Sequence, residues 1–301
     1  MTESLSHDAS AVKLTAIQLC SVPNVSENLA QIDEQLSKAS DVNSSNAFSN
    51  DGGAKHHLVV LPECCLFFGG KDKQQLELAQ NAEQVELMLS GLVDIAKRYQ
   101  CYLVAGSLPL MPSTESDRFV NASVMFSPEG EIVAQYEKLH LFDVEVDDNE
   151  KSYCESTYTQ AGQRIQTAQL PFAGVGLSIC YDLRFPELYR QLAQAGASII
   201  TVPAAFTRPT GVAHWQALLQ ARAIENQAYI IASGQEGIHA NGRETWGHSM
   251  IISPWGEILA QLPAGVGSIS ADYDDNLVQQ IRKSMPVAAH NRFKTELIHD
   301  E

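Results

Sequence analysis

The sequence predicts an α/β fold built around a mixed β-sheet. Runs typical of strands alternate with runs typical of helices along most of the chain, which is the pattern of α/β proteins. Two further pairs of strand-like runs flank the turn sequences Ser127-Pro128-Glu129-Gly130 and Ser253-Pro254-Trp255-Gly256, which are typical of hairpins. Because a hairpin pairs its two strands antiparallel, the sheet cannot be purely parallel.

The individual elements are predicted from apolar runs and the turn residues between them. The predicted strands, in chain order, are Lys13–Cys20, Leu58–Leu61, Tyr102–Leu108, Ala122–Phe126, Ile132–Tyr136, Gly174–Ile179, Ser198–Val202, Tyr229–Ser233 and Ser249–Ile252. The predicted helices are Asn24–Ala39, Gln74–Tyr99, Pro186–Ala195 and Ala213–Asn226. Pro186 suits the first turn of its helix, where the missing N–H has no partner to bind.

The domain organisation follows from length and from two polar segments. A chain of 301 residues fits one large domain or two ordinary ones. No clear linker divides it, so we expect a single domain over residues 13–301. Residues 1–12 are expected to be disordered, and Asp41–His57 is interpreted as a surface loop whose His56–His57 pair is solvated. Arg282–Glu301 is expected to leave the core as a tail or partner-contacting segment.

Composition and charge exclude several classes of function. The formal charge of −16 argues against nucleic-acid binding, which needs a basic surface, and against docking on anionic membranes. No apolar run approaches the roughly 20 residues that span a bilayer, and the first residues lack the pattern of a signal peptide. The six cysteines show no zinc-like spacing, so we expect reduced thiols in a cytoplasmic protein.

Two charged side chains follow predicted strands. The wholly apolar run before Pro62 suits a strand buried on both faces, and Glu63 comes directly after it. Ligands of open α/β sheets gather at the carboxyl ends of strands, where partial burial raises a carboxyl pKa and suits it to proton transfer. Lys138 follows the strand Ile132–Tyr136, where a fixed ammonium would stabilise negative charge.

A cysteine occupies a third strand end. Cys180 lies where the strand Gly174–Ile179 turns towards the helix that begins near Pro186. A helix N-terminus lowers a thiol pKa and offers N–H groups to an oxyanion. This arrangement resembles a nucleophile elbow, although the Gly-x-Ser-x-Gly pattern is absent.

Other chemistries fit the sequence less well. A papain-like arrangement would pair Cys180 with His140 and an aspartate, but it leaves Glu63 and Lys138 without a role. A dinucleotide-binding site fails because Gly174-Val175-Gly176 lacks the third glycine of that motif. A non-catalytic scaffold on a hydrolase fold also stays open, since a fold does not fix a function.

Taken together, the three strand ends carry a family resemblance. In the order Glu, Lys, Cys they resemble the signature motifs of the nitrilase superfamily of carbon–nitrogen hydrolases, and the resemblance runs from Lys13 to about Asp272. The segments that carry it are Leu58–Phe67, Tyr136–Asp143 and Ser178–Tyr189, with further matches at Thr210–Trp215, Ala221–Asn226 and Gly247–Ile251. The resemblance is closest to the branch that holds deaminated-glutathione amidase and omega-amidase. It implies a four-layer αββα sandwich of two mixed sheets.

The resemblance also implies a chemistry. Glu63 would serve as base and acid, Lys138 and the Tyr181 N–H as oxyanion donors, and Cys180 as the nucleophile that forms a thioester. No metal or organic cofactor is implied. The family carries a second active-site glutamate, for which Glu155 is preferred by its spacing and Glu145 is the alternative.

The substrate is expected to be a small amide that also bears a carboxylate and releases ammonia. In the resembled branch an arginine at the position of Arg184 binds the carboxylate, although a structural ion pair with Glu187 is the alternative. Tyr181, Phe206, Thr207 and Arg208 are expected to line the same pocket. Deaminated glutathione is the preferred substrate, with alpha-ketoglutaramate as the alternative. The resemblance further implies a homodimer or a higher homo-oligomer.

Overall fold

A computed structural model describes residues 12–41, 56–148 and 152–298. The strands are β1 Val12–Gln18, β2 His56–Val60, β3 Tyr102–Val104, β4 Leu108–Leu110, β5 Phe119–Phe126, β6 Ile132–Glu137, β7 Asp143–Glu145, β8 Ser152–Cys154, β9 Thr159–Gln160, β10 Thr167–Gln169, β11 Gly174–Leu177, β12 Ile199–Ala204, β13 Tyr229–Gly234, β14 Glu236–Ile238, β15 Glu244–Trp246, β16 Ser249–Ile252, β17 Ile258–Leu262 and β18 Gly267–Tyr273. The α-helices are α1 Val25–Asp41, α2 Asp72–Gln80, α3 Ala82–Tyr99, α4 Pro186–Gln194, α5 Arg208–Thr210, α6 Gln216–Asn226, α7 Asp275–Ser284 and α8 Val287–His290. Two 3₁₀ turns cover Glu155–Thr157 and Cys180–Arg184, and a π turn covers Gly211–Trp215.

The strands form two large mixed sheets. The first has the order β18-β1-β2-β3-β5-β4, with β6 and β9 also paired to β5, and the second has the order β10-β11-β12-β13-β16-β17. Strands β1, β2 and β3 are mutually parallel, as are β11, β12 and β13. Both predicted hairpins form, as the antiparallel pairs β5–β6 and β16–β17. The prediction of mixed sheets is therefore confirmed.

Alternating side chains of the strands build four layers. In β2, Leu58 and Val60 belong to the core shared with strands of the second sheet. The side chain between them, Val59, packs instead with residues of α1 and α3. On the far side, α4 and α6 contribute apolar residues that pack on the second sheet. Because successive strand residues point to opposite faces, the apolar part of this strand, Leu58–Val60, is covered on both sides. The result is the expected αββα sandwich.

Two predicted elements are divided by a local conformational signal. The helix predicted over Gln74–Tyr99 is two helices, because Asn81 adopts an extended conformation and its side chain accepts hydrogen bonds from Glu83 N and Gln84 N, which caps α3. The strand predicted over Tyr102–Leu108 is interrupted by Gly106, which has a φ of +55°. A Cβ at Gly106 would lie 1.8 Å from the Pro62 carbonyl oxygen. Only glycine at this position therefore lets the backbone just before Glu63 pack against the backbone of residue 106.

The terminal segments and the loop that were expected to lie outside the core are partly structured at their borders. Residues 1–11 and 42–55 lie outside the described part of the chain, but Val12 begins β1 and His56–His57 belong to β2. The interpretation of both histidines as solvated is wrong for His57, which is buried and whose Nε2 lies 2.8 Å from Thr15 Oγ1. At the other end, Arg282 donates to the carbonyls of Ala197 and Gln227, and the Met285 carbonyl accepts from Gln227 Nε2 at 2.7 Å, so the chain is still attached to the core at residue 285.

Seven of the described strands escaped prediction altogether, and the longest of them is β18; the other six are β7, β8, β9, β10, β14 and β15. β18 pairs antiparallel with β1 along its whole length, from Val12 opposite Tyr273 to Gln18 opposite Gly267. Its serines and aspartate give it little apolar character, because it is the edge strand of the sheet.

Among the described residues, no helix combines the length and the apolar character needed to cross a membrane.

Candidate active site

Glu63 lies in the loop that leaves β2. The residue is 5% exposed, and its Oε2 accepts a hydrogen bond of 3.0 Å from the backbone N–H of Ala205, which follows β12 of the other sheet. Its own carbonyl accepts from the Gln235 side chain at 3.0 Å. Glu63 thus lies on a loop of the first sheet and is held by hydrogen bonds from the second, at the carboxyl ends of strands of both sheets. This is the edge at which the sequence predicted a site.

The ammonium of Lys138 lies between two carboxylates. Lys138 follows β6 and is 2% exposed. Its Nζ donates to Glu63 Oε1 at 2.8 Å and to Glu155 Oε2 at 2.9 Å. A buried ammonium needs such partners, because an unpaired charge in the interior is very costly.

The structure brings Glu155, and not Glu145, to this lysine. Glu155 opens the 3₁₀ turn after β8, and its Oε2 also accepts from the backbone N–H of Phe142 at 2.7 Å. Glu145 is exposed on β7 and does not line the cleft. Asn121 joins the two carboxylates, because its Nδ2 lies 3.2 Å from Glu63 Oε1 and 3.3 Å from Glu155 Oε1. Asn121 was not predicted as a site residue, although it is a polar residue inside the otherwise mostly apolar run of β5.

Cys180 occupies a sharp turn after β11. It has a φ of +48°, in the left-handed region that non-glycine residues rarely adopt, and it begins the 3₁₀ turn that leads to α4. Asp182 holds this turn by accepting a hydrogen bond of 2.9 Å from Ile179 N. A strained elbow of this kind directs the thiol out of the sheet and towards the cleft.

The thiol pKa is opposite to the sequence expectation. Burial raises the pKa of Cys180 well above its usual value, and the negative charge of Glu63 raises it further, while Lys138 lowers it only in part. The predicted lowering by a helix N-terminus is wrong because the element after Cys180 is a single 3₁₀ turn, which aligns few peptide dipoles. Cys180 is therefore a thiol at rest, and a base must remove its proton.

The charges of Glu63 and Lys138 stabilise each other. Burial raises the pKa of Glu63, but the ammonium of Lys138 and its hydrogen bond more than offset this effect, so the net shift of that pKa is downward. Burial likewise lowers the pKa of Lys138, but the carboxylates of Glu155 and Glu63 raise it well above its usual value. The resting site therefore holds a carboxylate, an ammonium and a neutral thiol.

These side chains line one cleft of about 800 Å³, a volume that includes its open mouth. Four of the residues predicted to bind substrate also line it, namely Tyr181, Arg184, Phe206 and Thr207. Arg208 does not line the cleft; its Nε pairs with Glu244 Oε2 at 3.0 Å. The cleft is also lined by Arg243, Phe142 and Tyr153, which the sequence analysis did not identify.

Arg184 lies against aromatic rings and not against the acid proposed as its partner. Its guanidinium carbon is 5.3 Å from the centre of the Phe206 ring and 5.9 Å from that of Tyr181. Its Nη1 is 3.3 Å from His214 Nδ1. Among the described residues it forms no ion pair with Glu187.

His140 is engaged away from the thiol. Its Nδ1 lies 2.7 Å from Asp182 Oδ1, and its ring stacks on Phe185 with a centroid distance of 3.6 Å. It does not line the cleft. The arrangement therefore offers Glu63, and not an imidazole, as the base next to Cys180.

Fold and site together define the class of protein. Two mixed sheets packed between helices, with a buried Glu, Lys and Cys at the carboxyl ends of their strands, are the architecture of the nitrilase superfamily. The structure of yeast Nit3, described as a member of branch 10 of that superfamily, superposes with a TM-score of 0.80 at 26% identity, covering 94% of this chain and 97% of that one. Residues 13–283 match the carbon–nitrogen hydrolase family, and the chain belongs to it.

Two curated relatives are similar over most of their length. A deaminated glutathione amidase of Yersinia enterocolitica is 38% identical over 282 residues, which are 94% of this chain and 93% of that protein. A deaminated glutathione amidase of a Synechocystis strain is 40% identical over 280 residues, which are 92% of this chain and 97% of that protein. The family resemblance noted in the sequence is thereby confirmed, and the protein is a hydrolase of carbon–nitrogen bonds.

Proposed function

We propose that the protein is a thiol amidase that hydrolyses deaminated glutathione through a thioester on Cys180. The observation that carries this proposal is the convergence of Glu63, Lys138 and Cys180 in one cleft that Arg184 also lines. The names of the two curated relatives support the choice of substrate.

The first half of the reaction forms the thioester. Glu63 takes the proton of the Cys180 thiol as the sulfur attacks the amide carbon, so that a C–S bond forms and the carbonyl electrons move to oxygen. Lys138 Nζ and the backbone N–H of Tyr181 stabilise that oxyanion; one such donor is worth about 3–4 kcal/mol. Glu63 then gives its proton to the amide nitrogen, the C–N bond breaks and the amine leaves.

The second half hydrolyses the thioester. Glu63, again a carboxylate, takes a proton from water, and the hydroxyl oxygen attacks the acyl carbon. The C–S bond breaks, the proton returns to the sulfur and the carboxylic acid leaves. Glu155 positions Lys138, because it is the second carboxylate that binds the ammonium.

The leaving group differs between the two candidate substrates. In deaminated glutathione the cleaved bond joins a keto-acid acyl group to the amino nitrogen of a cysteinylglycine dipeptide, so the amine released is that dipeptide. The ammonia expected from the sequence would come from a primary amide such as alpha-ketoglutaramate. Arg184 would bind the carboxylate of the acyl group through paired N–H donors. Tyr181, Phe206 and Thr207 would form the walls of the pocket around that group.

The direct test is to trap the acyl group. Wild-type protein mixed with deaminated glutathione and quenched in acid should gain the mass of the acyl group, and Cys180→Ala should gain none and lose activity. The control is Cys154→Ala, which removes another cleft thiol, exposed rather than buried, and should leave activity and adduct unchanged. Full activity in Cys180→Ala would refute the proposal, as would an adduct that depends on Cys154.

We further propose that the enzyme works in the cytoplasm as a homodimer. All six cysteines are free thiols, the state expected in a reducing compartment. Ile224 on α6 is 53% exposed, and Trp255 in the turn between β16 and β17, which packs beside α6, is 62% exposed. An exposed apolar patch of this kind is typical of an interface. Sedimentation should give a dimer mass for the wild type and a monomer mass for Trp255→Asp; a monomeric wild type would contradict the proposal.

A further inference from the structure

We propose that Asn121 is a positioning residue of the reaction: its side-chain amide holds the two active-site carboxylates, so that Lys138 can give one N–H to the oxyanion formed at the substrate carbonyl. Asn121 lies on β5, is 4% exposed and lines the cleft. The inference rests on the proposed function, because it explains how an ammonium that is bound to both glutamates becomes available to the substrate.

β5 is the strand to which two charged segments of the site are attached. β6, which leads to Lys138, pairs with β5, and the backbone N–H of Lys138 donates to the Asn121 carbonyl at 3.0 Å. β9, which follows the 3₁₀ turn of Glu155, pairs with β5 at Phe119 and Val120. Asn121 therefore stands in the strand that fixes the ammonium segment and the segment of the second glutamate.

The side-chain amide of Asn121 connects the two carboxylates. Its Nδ2 lies 3.2 Å from Glu63 Oε1 and 3.3 Å from Glu155 Oε1. Carboxylates bound to an ammonium can only accept hydrogen bonds, so the NH₂ end of the amide, and not its oxygen, must face them. An NH₂ group has two hydrogens, so the amide supplies one to each carboxylate.

All three hydrogens of the Lys138 ammonium have acceptors at rest. Its Nζ lies 2.8 Å from Glu63 Oε1, 2.9 Å from Glu155 Oε2 and 3.1 Å from Glu155 Oε1. Because an ammonium has three hydrogens and no more, Lys138 binds an oxyanion only by giving up one of these contacts.

Asn121 compensates for the contact that is given up. The contact of Lys138 with Glu155 Oε1 is the longest of the three, and this oxygen also accepts from Asn121. When the N–H of Lys138 turns to the oxyanion, Glu155 Oε1 therefore keeps a donor. Without Asn121 a largely buried carboxylate oxygen would lose its hydrogen bond at that moment, which is costly.

The test compares two reactions of Cys180 that differ in whether an oxyanion forms. p-Nitrophenyl acetate acylates the thiol: the C–S bond forms at a carbonyl carbon, an oxyanion develops, the C–O bond breaks and nitrophenolate leaves. Iodoacetamide alkylates the thiol: the C–S bond forms at a saturated carbon and iodide leaves, with no charge on a carbonyl oxygen. In both reactions Glu63 takes the thiol proton. Peptide masses after digestion separate the products at Cys180 from those at the other cleft thiols, Cys64 and Cys154.

Asn121→Leu keeps the branching of the side chain and removes its donors. We expect it to slow acylation of Cys180 about 10- to 100-fold relative to the wild type, the size of a lost hydrogen bond to a charged group. Alkylation should fall by no more than about twofold, because it needs no N–H from Lys138 and because loss of a donor raises the pKa of Glu63, which makes it a stronger base. In hydrolysis of deaminated glutathione, kcat should fall by the factor seen for acylation, with KM nearly unchanged.

A second variant and a matched control accompany the leucine variant. Asn121→Ser supplies one hydrogen in place of two, so its acylation rate should lie between those of the wild type and Asn121→Leu, and it replaces the leucine variant if that one does not fold. The control is Ser123→Ala, which removes another buried polar group two residues along, on the same face of β5. Within the described part of the chain the Ser123 hydroxyl has no hydrogen-bond partner, so this change should leave both rates unchanged.

The outcomes separate the positioning role from the proposed function. A fall of both rates by the same factor in the Asn121 variants would overturn the inference, because a merely structural role disturbs the thiol in either reaction. Unchanged acylation would overturn it as well. If the wild type hydrolysed neither deaminated glutathione nor alpha-ketoglutaramate but the selective loss of acylation persisted, the positioning role would stand and the proposed substrate would be wrong.

Discussion

The Asp182 carboxylate lies 2.7 Å from His140 Nδ1, and this contact joins the two segments that carry Lys138 and Cys180. His140 follows Lys138 by two residues, and Asp182 follows Cys180 by two. Asp182 is fully buried, and it also accepts from the Tyr136 hydroxyl at 2.7 Å and from two backbone N–H groups. The Asp182 carboxylate therefore fixes the segment that carries Lys138 relative to the turn that carries Cys180.

Replacing this carboxylate by an amide tests its positioning role. In Asp182→Asn one acceptor oxygen becomes an NH₂ group that faces existing donors, so we expect a loss of about 1–3 kcal/mol in the free energy of unfolding for each donor left unpaired. We also expect kcat to fall about 10- to 100-fold, because displacement of reacting groups by about 1 Å is costly. Urea unfolding and steady-state kinetics measure the two effects. Tyr136→Phe, which removes one donor, is the milder control, and an unchanged kcat in Asp182→Asn would contradict the role.

The two glutamates left open by the sequence give a matched pair. Glu155→Gln removes a charge bound to Lys138, so the ammonium loses one of its two carboxylate partners and we expect kcat to fall by about 10²- to 10³-fold. Glu145→Gln makes the same chemical change on the exposed strand β7 and should leave kcat within about twofold of the wild type. The measurement is kcat on one amide substrate for the three proteins. A larger loss in Glu145→Gln would reverse the assignment.

Those site residues that directly follow a strand could be predicted from the sequence. Glu63, Lys138 and Cys180 each follow a strand, and the common polarity of parallel strands brings such ends to one edge of each sheet. Cys180 follows a strand of the second sheet, so its meeting with Glu63 and Lys138 also depends on how the two sheets pack. Asn121 and Arg243 were missed because neither has a local signal of comparable strength. They reach the cleft through strand pairing and through the β14–β15 turn.

The thiol pKa illustrates a second limit of sequence analysis. The local pattern around Cys180 suggested a helix N-terminus, which would lower that pKa. Burial and the neighbouring carboxylate of Glu63 raise it instead. Both causes depend on how the two sheets pack, and a single segment of sequence does not specify that packing.

The directions in which the three active-site pKa values are shifted predict that kcat/KM is constant over a broad range of pH. The pKa of Glu63 is lowered from its usual 4.5, so the base stays ionised until the pH falls through that lowered value. The pKa values of Lys138 and Cys180 are raised from 10.5 and 9.0, so neither group loses its proton at neutral pH. We expect kcat/KM to be flat between about pH 5 and pH 9. A bell centred near neutrality would instead indicate a cysteine–histidine pair, and His140→Ala would decide whether that histidine causes it.

Buried histidines predict a loss of stability in mild acid. Burial lowers the pKa of His57 to about 3, with a smaller contribution from Lys13, and burial lowers that of His239 to about 4. In the unfolded chain both histidines titrate near 6.5. Below that pH the unfolded state binds more protons than the folded state, so the stability present at neutral pH is lost as the pH falls.

His57→Gln isolates this effect, because glutamine keeps a polar group beside Thr15 but cannot titrate. Between pH 6.5 and pH 5 the wild type should lose about 2 kcal/mol of unfolding free energy through His57 alone, and His57→Gln should lose that much less over the same interval. The comparison is between slopes against pH, so a uniform destabilisation by the substitution does not affect it. His290→Gln, at an exposed position, should follow the wild-type slope. An identical slope in His57→Gln and wild type would mean that His57 binds its proton as readily in the folded protein as in the unfolded chain.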